Sequence, residues 1–302
     1  MDLSLIWIPS TVAAAAAQTA RNAMQHRLTE VLGTVGATQV RFLYGLPFAL
    51  LFLLLLTGLT GEAVPPPNAR FLAAILAGAL LQIAATGLML AAMRARSFGA
   101  VIAYTKTEPV QVALFGAIIL GDPLGLTGAL AIVVATAGVF LLSGRKGPAA
   151  GGGWAELLPP LMGIAAGGAF ALAAVGFRGA ILALPEGSPL MRSTTSLAWT
   201  LAAQTLVLVA WLAVMNRPAL VGSLRIWRSS LFAGFMGALA SQCWFFGFAV
   251  TAAANVRTLG LVEVLFAAIV SRRVFVQTIA PVEWLGYALV CGGIALLVLN
   301  AA

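Results

Sequence analysis

Apolar runs of about twenty residues recur along this 302-residue chain, and most connections between them are short. A run of that length matches the hydrocarbon thickness of a bilayer, so the chain reads as a series of membrane spans. Inside lipid the backbone finds no water, and only helices or a closed barrel satisfy its polar groups. Ten spans follow from the pattern: 3–24, 34–57, 70–93, 98–121, 124–143, 155–177, 192–215, 229–250, 254–271 and 281–299. The expected fold is an all-α integral membrane protein of ten transmembrane helices. Apolar residues make up 61% of the chain and charged residues 9%, whereas soluble domains run about half and a quarter.

The fourth run, FGAVIAYTKTEPVQVALFGAIILG, carries Lys106 and Glu108 near its middle. An ionisable group at that depth costs about 2.5–3.5 kcal/mol and is a functional hypothesis by default. An offset of 155 carries Glu108 onto Glu263, Ala113 onto Ala268, Gly138 onto Gly293, and Leu141-Leu142 onto Leu296-Leu297. The glycine-rich stretch at 144–153 divides the chain into two five-helix repeats, 1–143 and 154–302. Because five is odd, repeats of one fold enter the membrane in opposite senses.

Loop charges agree with inversion. The loops between spans 1–2, 3–4, 5–6, 7–8 and 9–10 hold ten basic residues, among them Arg27, Arg145 and Arg272, while the opposite side holds Arg70 and Arg192. The positive side is expected in the cytoplasm and both termini outside. Equivalent loops swap sign: the fourth-to-fifth connection has Asp122, whereas the ninth-to-tenth has Arg272 and Arg273.

Glu108 and Glu263 are candidate proton-coupling or ammonium-binding groups; the alternative is a protonated acid bonding across a helix pair. Pro109 removes a backbone bond and loosens the helix beside Glu108. Lys106, two residues away, does not face Glu108 on a regular helix. It pairs with Glu263, meets a substrate carboxylate, or makes a salt bridge within the bundle. Gln18, Arg21, Asn22 and Gln25 share one helical face. With Arg41 they form a candidate vestibule for an anionic or zwitterionic solute, unless the arginines snorkel to headgroups. Gln82, Tyr104, Gln111, Gln242 and Trp244 complete the candidate substrate site. Thr86, Arg178, Gln204, Ser241 and Arg257 are further polar positions inside spans, each read singly as a bond to a neighbouring helix. The glycine pair Gly163 and Gly167 allows close helix approach, read as packing within one chain in preference to dimerisation.

Other chemistries are not signalled. His26 is the one histidine, the two cysteines lie inside apolar runs, and GRKG at 144–147 lacks the spacing of a phosphate loop. The net charge of +8 sits at span ends, not on a soluble face, so nucleic acid is not the expected partner. The expectation is a non-enzymatic protein with no cofactor and no metal, in contact with lipid, a small solute and, where acids couple transport, protons. It is a monomer or a homodimer. Richness in alanine, glycine and arginine suggests a bacterial inner membrane.

The segments GDPLGLTGALAIVVATAGVFLL and PVEWLGYALVCGGIALLVL, each closing one half, resemble the EamA-type members of the drug/metabolite transporter superfamily. The resemblance covers essentially the whole chain. It implies a secondary transporter whose cavity is lined by the first four helices of each half, with the fifth and tenth at the periphery. Relatives are often drawn with both termini in the cytoplasm, the reverse of what the loop charges indicate here. The expected function is alternating-access transport of a small, amino-acid-like metabolite, in the export direction and with proton coupling. A carrier of lipid-linked or phosphorylated intermediates, and a non-transporting membrane scaffold, are the alternatives.

Overall fold

The structure, a computed structural model, describes residues 5–95, 101, 104–143, 154–266 and 281–301. Some side chains within these ranges lie outside the description, including those of 22–31 and 93–95. The linker 144–153, the end of the ninth predicted span and the whole ninth-to-tenth connection also lie outside it. Among the described residues the regular structure is helical, without strands.

Eleven α-helices are described: α1 Trp7–Leu43, α2 Leu46–Thr60, α3 Ala69–Ala95, α4 Glu108–Leu120, α5 Leu126–Ser143, α6 Trp154–Ala183, α7 Pro189–Met215, α8 Arg217–Arg225, α9 Trp227–Val250, α10 Ala253–Leu259 and α11 Pro281–Ala301. Five stretches are long and apolar enough to cross a bilayer: Val35–Thr60, Ala69–Met89, Leu157–Ala183, Pro189–Met215 and Ser230–Val250. Glu108–Leu120, Leu126–Leu142 and Trp284–Leu299 are shorter apolar helices. The chain is therefore a multi-pass helical membrane protein.

Several span boundaries differ from expectation for local reasons. α1 holds two helices that meet at Gly33, whose φ of 68° and ψ of 178° are not helical and suit glycine, so the first span runs past its expected end at residue 24. The expected second span, 34–57, corresponds to Val35–Thr60, with a turn at Tyr44–Gly45 ahead of Pro47 in the first turn of α2. The fourth run is not one continuous helix: Lys106 and Thr107 form a turn, and α4 starts at Glu108 with Pro109 in its first turn. The ninth is likewise interrupted, α10 giving way to a 3₁₀ turn at Gly260–Val262. The connection 216–228, expected as a loop, holds α8, opened by Asn216, whose side chain accepts from the Ala219 amide at 3.2 Å. α7 opens on Ser188, which accepts from the Met191 amide at 3.2 Å and donates to Glu62 Oε2 at 2.9 Å.

The chain forms two compact units, each drawing on both sequence halves. One comprises Met1–Ile8, Ala84–Val175 and Thr251–Ala302, the other Pro9–Ile83 and Gly176–Val250. In the second unit Phe71 and Ile75 of α3 pack on Ala180 and Leu184. Ala37 and Val40 of α1 pack on Ala233 of α9, and Asn68 Nδ2 donates to the Ala183 carbonyl at 2.6 Å.

In the first unit α5 lies against α11 with almost no space between backbones. A Cβ on Gly138 would stand 2.6 Å from the Gly286 carbonyl oxygen and 2.7 Å from the Val290 nitrogen. A Cβ on Gly293 would stand 2.7 Å from the Ala131 oxygen and 2.6 Å from the Ala135 nitrogen. The 155-residue offset carries Ala131, Ala135 and Gly138 onto Gly286, Val290 and Gly293. The two sets of contacts are thus the same set with the helices exchanged. Replacing Gly138 or Gly293 by alanine should cost about 1–3 kcal/mol, because the obstructing atoms are backbone. Gly292→Ala, with open space at its Cβ, should be near neutral. Thermal unfolding in detergent checks both, and equal stability of all three variants would contradict the tight seam.

Candidate functional site

The site in the first unit rests on a bed of small residues. Gly163 and Gly167 of α6 bear against the stretch before α4, and Gly168 against Gln111 of α4. A Cβ on Gly163 would meet the Tyr104 side chain at 2.6 Å, and one on Gly167 would meet the Thr105 carbonyl oxygen at 2.9 Å. The close spacing of these glycines thus serves packing within the chain. The turn is closed by Thr107, whose hydroxyl donates to the Tyr104 carbonyl at 2.8 Å. Gln111 Nε2 donates to that hydroxyl at 2.8 Å and lies 3.4 Å from the Ile164 carbonyl.

This turn decides where the charges go. Lys106 projects from the turn, whereas Glu108 is in the first turn of α4, where the helix dipole favours an anion. Lys106 Nζ lies 3.2 Å from Glu263 Oε2, and Arg257 Nε lies 3.1 Å from Glu108 Oε1. The first contact is also a hydrogen bond. The second lacks hydrogen-bond alignment at these atoms, so it counts as charge attraction. All four side chains are 12–15% exposed. The later residue of the α4 segment pairs with the earlier residue of the α10 segment, so the two segments run antiparallel here. Each glutamate takes its cation from the other sequence half, and the group of four carries no net charge.

Of the residues singled out by sequence, Tyr104, Lys106, Glu108, Gln111 and Glu263 come together in this unit. Arg257 was seen as a polar position but not as a partner of the site. Its signal was a cation six residues before an acid in an apolar run.

The second unit holds the others. Trp244 Nε1 donates to Gln18 Oε1 at 3.2 Å. Gln242 Nε2 donates to Thr194 Oγ1 at 3.0 Å, and Gln204 Nε2 to Gln82 Oε1 at 2.6 Å. Arg21 is 5% exposed; its Cδ and the Cγ of Arg41 lie 3.4 and 3.7 Å from the Cβ position of Gly237 on α9. Two guanidinium side chains therefore run over one glycine. Asn22 lies on α1, but its side chain is outside the described residues. The hydroxyl-rich start of α7 was not singled out by sequence: Ser193, Thr194, Thr195 and Ser196 are all buried. Ser193, Thr194 and Ser196 bond back to their own helix at 2.7–2.8 Å.

Interrupted apolar helices that bring paired charges together define a polytopic membrane protein with a polar interior. Residues 5–144 match the model of the EamA-like transporter family. Twenty-eight chains of solved structures are similar to this one. One, described only as "Crystal structure of protein", is 13% identical, aligns over 98% of this chain and 97% of its own, and has a TM-score of 0.73. At that identity the likeness establishes a shared fold. No curated protein matches the chain.

Removing one partner of a buried ion pair leaves the other charge uncompensated, at a cost of about 3–5 kcal/mol. Glu263→Gln should therefore lower stability more than Lys106→Gln with Glu263→Gln does. A double-mutant cycle by thermal unfolding in nanodiscs should return a coupling of about 1–3 kcal/mol. Additive losses would show that the 3.2 Å contact contributes nothing.

Proposed function

We propose that the protein is a secondary-active transporter that moves a small organic metabolite by alternating access. The observation that carries this reading is the pair of crossed ion pairs, Lys106–Glu263 and Glu108–Arg257, beside two interruptions in apolar helices. Discontinuous helices with charged groups at depth are a recurring way to build a solute site in secondary transporters. The family of residues 5–144 supports transport as the activity.

The substrate class follows from the charges. A zwitterion of amino-acid type has a carboxylate for Lys106 and an ammonium for Glu263, or the same two groups for Arg257 and Glu108, so it replaces one pairing without leaving either of its members bare. Protonation of a glutamate releases its cation to meet a substrate carboxylate, which is the route for proton coupling. In this reading the chain is two inverted five-helix repeats, 1–143 and 154–302, joined by 144–153. The reciprocal packing of α5 and α11 supports that division. Export is the favoured direction by family resemblance, and an inner membrane with the arginine-rich loops inside is favoured by the charge bias.

A second reading has one observation in its favour. Arg21 and Arg41 run together over Gly237, which suits a phosphorylated or lipid-linked cargo. Replacing both arginines would then abolish activity, while the glutamates would matter less.

Uptake and counterflow in proteoliposomes with labelled amino acids, with and without a pH gradient, separate these readings. Wild-type flux should depend on the gradient and fall to the background of empty vesicles in Glu108→Gln. Flux that survives in both Glu108→Gln and Glu263→Gln makes the acids structural. Failure to move any amino acid, in protein shown to be folded, removes the amino-acid assignment.

A further inference from the structure

The short helix α8 stands apart from the rest of the second unit in its chemistry. Arg217, Val221, Leu224 and Arg225 share one face of α8, Arg228 follows in the first turn of α9, and all five are exposed. On the opposite side Ser223 is fully buried, and a Cβ on Gly222 would lie 3.2 Å from Leu32 Cδ2. Tyr44 fastens the element, its hydroxyl donating to the Ser223 carbonyl at 3.0 Å and lying 3.4 Å from that of Leu224. At one end Arg217 Nε donates to the Ala213 carbonyl at 2.9 Å. At the other, the Arg228 guanidinium sits 5.4 Å from the centre of the Trp227 ring, and Trp227 is 48% exposed. The element is held in place while its outer face offers three cations among aliphatic and aromatic surface.

That face has no acid of its own. From Gly187 to Val262 the sequence contains neither aspartate nor glutamate, and among the described residues no ion pair involves Arg217, Arg225 or Arg228. Exposed Val221 and Leu224, beside arginines that no described acid neutralises, would be a poor surface for bulk water. They match the boundary between acyl chains and headgroups, where apolar side chains enter the lipid and cations meet phosphate. We infer that the outer face of α8, continued by Trp227 and Arg228, is a docking surface for anionic phospholipid. The phosphodiester oxygens take Arg217, Arg225 and Arg228, and the acyl chains cover Val221, Leu224 and Trp227. This inference does not depend on what the protein transports.

Wild-type protein reconstituted in phosphatidylcholine nanodiscs containing a photoactivatable phosphatidylglycerol tests it directly. Crosslinks should fall within 217–228; labelling elsewhere with none in this segment overturns the proposal. Native mass spectrometry gives the second measurement. Three cations near an anionic surface contribute roughly a hundredfold in binding. Retention of phosphatidylglycerol over phosphatidylcholine should fall by that order in R217Q/R225Q/R228Q and persist in R217K/R225K/R228K. Equal retention by wild type and the glutamine variant overturns the proposal, and the crosslink arm stands whether or not that variant folds.

Discussion

An ionised side chain in hydrocarbon must bring its counterion with it, and most of the first unit is arranged to meet that condition. Lys106 and Glu108 are too close in sequence to face each other on one helix, so neither neutralises the other. The turn at Lys106–Thr107 separates their directions, and the α10 segment supplies Glu263 to one and Arg257 to the other. The turn has backbone groups to satisfy, and Thr107 and Gln111 satisfy part of that need. The glycines of α6 give it room. Removing any of these supports strands a charge or a peptide group where water cannot replace its partner.

The membrane class was legible because it depends on composition over long windows, which local irregularity does not disturb. The acids were legible because a carboxylate in an apolar run costs so much that its presence is a signal. What the runs concealed was their continuity. A stretch such as 98–121 has the hydropathy of a single span, and hydropathy is blind to a two-residue turn whose polar groups are satisfied by neighbours far along the chain. Arg257 escaped for a related reason: its partner lies 149 positions away, and no spacing rule reaches that far. α8 escaped because it is short and shares its face between arginine and aliphatic residues, which in sequence looks like an ordinary basic loop.

The 155-residue offset was visible in a handful of identities, most of them small or aliphatic residues that recur in any membrane helix. The packing of α5 on α11 gives the offset a physical meaning. Gly138 and Gly293 each lie where the partner backbone leaves no volume for a Cβ, so at both positions glycine is imposed by geometry.

The charges of Lys106, Glu108, Arg257 and Glu263 sum to zero, which has an electrical consequence. Moving one elementary charge across a potential of 100 mV involves about 2.3 kcal/mol of work. A rearrangement that displaces all four groups together does none of that work, whatever distance they travel. Membrane voltage then finds no net charge on this group of four, and a proton taken up by one glutamate would give it one.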